Sequence, residues 1–429
     1  MANRQREGWL FDVDELGPQV ALWVYTNDGQ LVRLTDEFKP LVYVQGERAR
    51  LKRLASELER LGVISSVIWM ERREFWSGQT IEVLELHIAD ASLLSKLRNF
   101  AAARDHEFVF FNLDISAAQS YLYLKSLFPL GHLTCEVDEA GNVLEIASTE
   151  NLWEADYQLP GLRTLTMHGE RMQPATARSC IHLECAGDSL ALRITDGAKA
   201  VESFNAFIDK HDPDLILSGR GDTLLIPALL RLAKRNRLDV RLDRDRVVTN
   251  RKIETEGRTY FSYGRIVYKG PSYPLFGRWH IDRRNSFMAR ETGMEGVLEL
   301  SRLAKIPVQR MARTSPGTAM TSMEMDRAVN DGILIPWLKS EPERYKTALD
   351  LLTIDKGGLV FQPPVGAFEQ VAEIDLQGVI TAFTLTPANG SEREALWEVL
   401  PGIKGLVIGD KGYLSADLQA ELRRYGINL

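Results

Sequence analysis

The sequence predicts a mixed α/β protein built from several pieces. Three observations carry this. Alternating or continuous apolar runs of strand character are interleaved with amphipathic helical segments along nearly the whole chain. The interleaving changes character along the sequence, so that 1–155, 156–340, 341–375 and 376–429 read as separate regions. The length of 429 residues accommodates two to four domains at ~100–200 residues each.

Composition removes several classes. A chain that is 45% hydrophobic and 26% charged is not disordered as a whole. A net charge of -7 excludes a uniformly basic DNA-coating protein, although a local basic groove remains compatible with it. Cys135, Cys180 and Cys185 show no paired spacing, which argues against a disulfide framework and a four-cysteine zinc site. The first fifteen residues contain no apolar signal core, and no apolar run approaches ~18 residues. The expectation is a cytoplasmic protein without a membrane partner.

The elements follow in order. GWLFDVDELGPQVALWVYTNDGQLVRL reads as two or three strands, with Asn27-Asp28-Gly29 as the tightest turn signal. PLVYVQ (40–45) is a strand, and 46–62 a helix with Leu51, Leu54, Leu58 and Leu61 on one face. Segments 64–75 and 80–89 alternate as strands, 92–104 is a helix, and 107–111 is a strand. The order β-α-β-β-α-β is that of a ferredoxin-like unit, a platform that hosts many functions and proves none.

Beyond Leu159, three strands (LPGLRTLTMHGER, SCIHLEC, DSLALRIT) precede a helix at 198–211 and a buried strand, DPDLILSG (212–219). A helix over 222–238 follows, with Asp222 placed to cap it. Helices at 284–304 and 317–331 end before Pro336. Short strands punctuated by Gly-Gly and Pro-Pro occupy 355–375, and 376–429 reads strand, helix, strand, helix.

Four segments carry a resemblance to family B DNA polymerases. HDPDLILSGRGD (211–222) resembles the second exonuclease motif region. GRWHIDRRNSF (277–287) with GMEGVLELSRLAKIPVQRMARTSPGTAM (293–320) resembles the end of the same domain. FNLDISAAQSYLYLKSL (111–127) resembles the exit from the N-terminal domain, and DKGGLVFQPPVGAFEQVAEID (355–375) resembles the entry to the palm. The resemblance implies a polymerase N-terminal domain at 1–155, an RNase H-like 3'-5' exonuclease domain at 156–340 and the start of a palm at 341–375. From 376 onward the chain instead resembles a DDE-type insertion-sequence transposase, in QGVITAFTLTPANGSEREAL (377–396) and KGLVIGDKGYLSADLQAELRRYGINL (404–429). A transposase DDE-domain fragment at 376–429, itself part of an RNase H-like fold, is implied. The expectation is a polymerase reading frame truncated and interrupted by a mobile element.

The resemblance also supplies site expectations. The exonuclease would hold two metals on four acids, Mg or Mn. Its candidates here are Glu170, Asp222 and Glu291, but His168 stands where the first motif has Asp, Leu225 where the second acid usually falls, and Phe287 where the third motif has Tyr. Asp375 corresponds to the first palm acid and Asp410 to the second transposase acid, each without its partners in this chain. All five are expected to be vestigial, so no cofactor is expected unless nuclease activity survives. His168, His182, His280 and Asp282 read as packing, surface or capping residues.

Residues Arg231, Lys234, Arg235, Arg237, Arg241, Arg244 and Arg246 form a basic run interleaved with Asp239, Asp243 and Asp245, which favours a salt-bridged face over a phosphate site. Arg231, Lys234 and Arg235 are candidates for DNA contact, and the resemblance adds Arg310 and Arg313 of QRMARTSPGT, whose family counterpart lies close to the path of DNA. The functional expectation is residual binding of single-stranded or primer-template DNA by a catalytically inactive polymerase-like protein. The alternatives are a 3'-5' exonuclease with a divergent metal site, a transposase-related protein, and a pseudogene product.

Overall fold

The computed structural model describes residues 4–75, 77–104, 106–154, 156–170, 179–245, 258–262 and 265–337, and in the C-terminal part 396–397, 400, 405–406, 416–425 and 427–428. Two compact units are formed, Met1–Lys339 and Ser340–Leu429.

The first unit opens with an antiparallel sheet. Strands β1 (Arg4–Leu16), β2 (Gln19–Thr26) and β3 (Leu31–Glu37) are joined on the β1 side by β8 (His132–Val137) and β9 (Val143–Ser148), in the order β3-β2-β1-β8-β9. The turn expected at Asn27-Asp28-Gly29 connects β2 to β3. Gly29 has φ +81° there and donates its amide to the Thr26 carbonyl at 2.9 Å, a backbone conformation that glycine adopts without cost.

The second sheet is the split βαβ unit that the element order predicts. Strands β4 (Leu41–Gln45), β5 (Ile64–Glu74), β6 (Thr80–Ile88) and β7 (Val109–Phe111) lie in the order β5-β6-β4-β7, all antiparallel. Helices α1 (Arg48–Arg60) and α2 (Leu94–Ala102) cover one face. Helix α1 buries Leu51, Leu54, Ala55 and Leu58, the stripe that its leucine spacing dictates. Leu61 falls one step past the helix end and is exposed. Helix α3 (Ala117–Leu124) starts at Ser116, whose hydroxyl accepts from the Gln119 amide, satisfying an otherwise orphaned donor.

The third sheet consists of β10 (Thr164–Glu170), β11 (Cys180–Cys185), β12 (Asp188–Arg193), β13 (Leu215–Ser218) and β16 (Trp279–Asp282), in the order β12-β11-β10-β13-β16. The first three pair antiparallel, whereas β10, β13 and β16 run parallel. The four residues of β13 and of β16 are all buried, as strands covered on both faces should be. Helices α4 (Ala198–His211) and α5 (Ile226–Asn236) pack Val201, Phe204, Ile208, Leu229 and Leu232 into the core. A ribbon of β14 (Arg258–Ser262) and β15 (Arg265–Lys269) lies between β13 and β16 in sequence.

Helix α6 (Phe287–Ala304), α7 (Val308–Met311) and α8 (Pro316–Asn330) follow, and β17 (Ile333–Leu334) adds to the outer edge of β5 in parallel. The helix expected from 284 begins at Phe287 because Ser286 caps it, accepting from the Ala289 amide at 3.0 Å. It is interrupted at Gly293, where φ is +69°.

The first and third sheets share a core. Phe11 stacks on Trp279 with ring centroids 4.0 Å apart, and Trp23 meets Phe276 edge-on at 5.3 Å. Residues Ala21, Leu215, Leu217, Ile281, Met288 and Ile306 complete this layer. The regions on either side of residue 155 thus pack against one another within the first unit. Among the described residues no helix is long and apolar enough to cross a membrane.

In the second unit, β18 (Gly405–Leu406) pairs in parallel with β19 (Ile427–Asn428), flanking α9 (Ala416–Arg424) in sequence. Leu400, Leu418, Leu422 and Ile427 form a small core, and Trp397 meets Tyr425 edge-on at 5.7 Å. The strand and helix expected at GLVIGD and SADLQAELRRYG fall on these elements. Segment 345–375, with Asp375, and the Asp410 turn lie outside the described residues.

Candidate functional site

The parallel strands β13 and β16 end at one level, and the central β10 runs three residues further, to Glu170. Met167 is level with Ser218, and Ser218 with Asp282. Loops leaving the carboxyl ends of parallel strands are where α/β sheets present chemistry. Here the loops carry Gly219-Arg220-Gly221-Asp222 and Arg283-Arg284-Asn285-Ser286, beside His168-Gly169-Glu170, the last residues of β10.

The second loop is held from within. Asp282 Oδ1 accepts from the amides of Arg220 (2.9 Å) and Arg284 (2.9 Å), and Oδ2 from the amide of Asp222 (3.0 Å). Asp282 therefore braces two loops at once. The chain then enters α5 through a π-helical turn, Gly221–Leu225. Asp222 does not cap this helix. Its Oδ1 accepts from the Tyr273 amide at 2.8 Å, and its Oδ2 from Asn285 Nδ2 at 3.0 Å. Arg313 Nη2 and His280 Nδ1 each stand 3.4 Å from Oδ1. The side chain is 2% exposed.

Burial alone would raise the Asp222 carboxyl. The hydrogen bond and charge of His280, the Arg313 guanidinium and the Asn285 amide outweigh it and hold the group far below the usual 3.8. The His280 ring is held at both nitrogens, Nδ1 3.0 Å from the Tyr273 carbonyl oxygen and Nε2 2.8 Å from the Ser218 hydroxyl. Gly221 lies against this pair. A Cβ there would sit 2.0 Å from Ser218 Oγ and 2.4 Å from His280 Nε2.

The three nuclease candidates are in different circumstances. Glu170 ends β10 opposite Cys180, with its side chain more than half exposed and its Oε2 3.5 Å from His182 Nε2. Glu291 lies exposed on α6, 3.1 Å from Arg290 Nε. Asp222 is spent on the donors just described. Leu225, at the expected second acid, is fully buried in the core, and Phe287 is half exposed under the Arg290 guanidinium. Among the described residues no group of three or more His, Cys, Asp or Glu is gathered, as the side chains stand, to hold a metal ion. An imidazole, a leucine, an engaged carboxylate and an arginine-paired glutamate do not fit a two-magnesium site, which wants several free oxygens.

The basic candidates also divide. Arg231, Lys234 and Arg235 are exposed on the later turns of α5. Arg310 is exposed and donates to Ser116 Oγ at 2.6 Å. Arg313 faces inward, donating to the carbonyls of His280 and Gln309 at 2.9 Å. Arg241 pairs with Asp209, and Arg244 with Asp212 (2.9 Å) and the fully buried Asp214 (2.8 Å). Arg278, 3% exposed, also reaches Asp212, and Arg163 reaches Asp214 through its amide and guanidinium. The Asp-Pro-Asp sequence is thus the hub of an arginine network that fixes the start of β13. Arg246 lies outside the described residues.

Asp12, Gln309 and Arg302 were invisible to sequence reasoning. Asp12 on β1 accepts from Trp279 Nε1 at 3.0 Å and the Val13 amide at 3.0 Å. Gln309 accepts the amides of Leu275 and His280 and donates to Leu275 O. Arg302, buried completely, lies between the rings of Phe128 and Tyr157 and pairs with Glu150 at 2.9 Å. The one available signal was Asp12 itself, a charge inside an otherwise apolar strand run.

Comparison with known proteins agrees with this architecture. The chain is similar to the DNA polymerase of Archaeoglobus fulgidus, at 22% identity over 91% of this chain and 56% of that protein. The DNA polymerase of Pyrococcus glycovorans matches at 21% identity, covering 86% and 52%. The solved family B DNA polymerase of Pyrobaculum calidifontis superimposes with a TM-score of 0.59 at 19% identity, over 85% of this chain and 54% of the other. The chain spans about half the length of these relatives. The family model described as transposase DDE domain matches residues 365–429. Most of the chain is therefore similar in sequence to DNA polymerases and in fold to a family B DNA polymerase, and its last 65 residues are similar to a transposase DDE domain.

Proposed function

We propose that the polymerase-like body binds single-stranded or primer-template DNA weakly through its phosphates and does not cleave it. The supporting observation is a contrast at the strand ends. The carboxylate best placed to serve a metal, Asp222, is consumed by Tyr273, Asn285 and Arg313, whereas Arg231, Lys234 and Arg235 are exposed on α5. The relatives named as DNA polymerases make DNA the natural polyanion.

The test is fluorescence anisotropy of a labelled oligonucleotide across a salt series, run beside a nuclease assay in magnesium and in manganese. Binding that weakens with salt, at a log–log slope of ~0.7 per neutralised phosphate on single strands, with no shortening of the strand, is the expected result. Absence of binding at low salt overturns the reading. Strand shortening that disappears in Glu170→Ala replaces it with a 3'-5' exonuclease using a divergent metal site. A role in transposition for 365–429 rests on the DDE-domain match and Asp410, and strand transfer by the full chain would be its readout.

A further inference from the structure

The loops braced by Asp282 carry more positive charge than the fold pairs. Asp282 Oδ1 accepts the amides of both Arg220 and Arg284, so these two residues leave the sheet within a few ångströms of one another. Arg283 stands beside them, its amide donating to the Ser218 carbonyl at 2.9 Å. The amides of Asn285 and Ser286 return to the Asp282 carbonyl at 3.0 and 2.8 Å. The backbone from which the three arginines emerge is therefore fixed. Their side chains are exposed, and among the described residues none of the three meets a carboxylate in an ion pair. The nearby acids do not answer them at the surface. Asp282 is 2% exposed and engages its oxygens on amides, and Asp222 is met from inside by Arg313. Like charges held together repel, and a polyanion laid across them would relieve that repulsion.

An aromatic ring adjoins this cluster. Phe287 occupies the first position of α6, directly after the Ser286 cap, and is 51% exposed. The next residue, Met288, enters the core, so the Phe287 ring is left on the outer side of the helix. The Arg290 guanidinium lies 5.8 Å from the ring centroid and also meets the exposed Glu291. An exposed ring flanked by guanidiniums is what a single strand recognises, with a base on the ring and phosphates on the cations. A duplex keeps its bases stacked on one another and offers only its phosphates.

We propose that Phe287 is a stacking platform for an unstacked base of single-stranded DNA, with Arg220, Arg283 and Arg284 holding the adjoining phosphates. The proposal rests on the phosphate-binding reading and adds to it a second surface and a preference for single strands. The two surfaces are connected. Arg231 of α5 is near enough to Tyr273 to favour ionisation of its hydroxyl, and the Tyr273 amide and Asn285 hold the two oxygens of Asp222. The ring lies on the outer face of a helix and not at the bottom of a cleft, so an internal stretch of strand reaches it and no strand end is required.

The experiment measures fluorescence anisotropy of the full chain, at low salt, with three labelled probes: a linear oligothymidylate, its circular form and a duplex of equal length. The linear and circular strands should bind alike, and the duplex more weakly. Phe287→Ala and Phe287→Leu, the second keeping apolar bulk without the π face, should each weaken single-strand binding ~5–100-fold, the scale of one stacked base. Duplex binding and the melting temperature should stay unchanged in both, and Phe287→Trp should retain single-strand binding. Arg283→Gln with Arg284→Gln should lower the salt slope on single strands by ~0.7 per phosphate released. Single-strand binding that is unaltered in Phe287→Leu, or that requires a free end, overturns the platform while phosphate binding through α5 stands. Absence of binding to all three probes overturns both readings together.

Discussion

The indole of Trp279 donates its Nε1 proton to Asp12 Oδ2 at 3.0 Å, joining β16 of the third sheet to β1 of the first. Both residues are buried, and Phe11, the neighbour of Asp12, stacks on the same indole. One acid at a bulged position of β1 therefore places a buried hydrogen bond inside a largely apolar layer.

Burial pushes the Asp12 carboxyl from 3.8 up to about 7, against the lowering effect of its hydrogen bonds from Val13, Gln309 and Trp279. Between those two values the folded protein holds a proton that the unfolded chain releases, so stability falls as pH rises through the window. Asp12→Asn, which is neutral throughout, should flatten this slope. The difference between the two proteins should reach a few kcal/mol, because each tenfold change in proton affinity is worth ~1.4 kcal/mol. Urea unfolding at pH 5 and pH 8 measures it. Parallel pH dependence in the two proteins would show that Asp12 is ionised in the native state at pH 5.

Asp222 has the opposite sign. Its folded pKa is depressed, so its contribution is present above about 3.8 and is lost as pH falls further. Asp222→Ala leaves the buried Tyr273 amide without its acceptor and takes the counter-charge from Arg313, and should cost ~3–5 kcal/mol, the scale for breaking a buried charged pair. Glu291→Ala, at an exposed pair, should cost less than ~1 kcal/mol. Thermal unfolding of both variants at neutral pH gives the comparison, and equal losses would contradict the structural role of Asp222.

Gly221 is required by proximity. Its φ is not in the left-handed region, yet a methyl there would overlap Ser218 and His280. Gly221→Ala should destabilise by ~1–3 kcal/mol through overpacking. Ser218→Ala combined with it should recover part of the loss, because the nearest overlapping atom is the Ser218 hydroxyl. Denaturation midpoints of the single and double variants test this.

The basic run should split by function. Arg231→Glu with Lys234→Glu and Arg235→Glu should leave the melting temperature nearly unchanged and weaken DNA binding. The salt slope should fall by ~0.7 for each phosphate that is no longer neutralised. Arg244→Ala should instead destabilise the fold by up to ~3–5 kcal/mol, since it removes one of the two guanidiniums that meet the fully buried Asp214, Arg163 being the other. Calorimetry and anisotropy on the same preparations separate the two effects. A stability loss in the triple variant would place those cations in structural pairs.

The split βαβ unit was legible because its periodicities are strong. Leucines three and four apart on α1, and alternation in β5 and β6, leave one way to bury the apolar faces. The third sheet was legible mainly through resemblance, since DPDLILSG and GRWHID are short. The cap assigned to Asp222 differed in the structure because local sequence shows an acid before a helix. It does not show that the Tyr273 amide, Asn285 and Arg313 converge there from 51, 63 and 91 residues away.

The histidines illustrate the same limit. His168 and His182 lie fourteen positions apart with nothing local to link them, yet hairpin register stacks their rings. The sequence by itself determined the identity of the elements, the net charge, the two resemblances and the residue types at the positions where the resemblance expects acids. Tertiary structure decided which charges are buried and by what they are met. It enclosed Asp222 and Asp214 and left Arg231 and Lys234 in water. The physical reason is that helix and strand periodicity is local, whereas the desolvation and pairing of a charge depend on groups that only the folded chain brings within hydrogen-bonding distance.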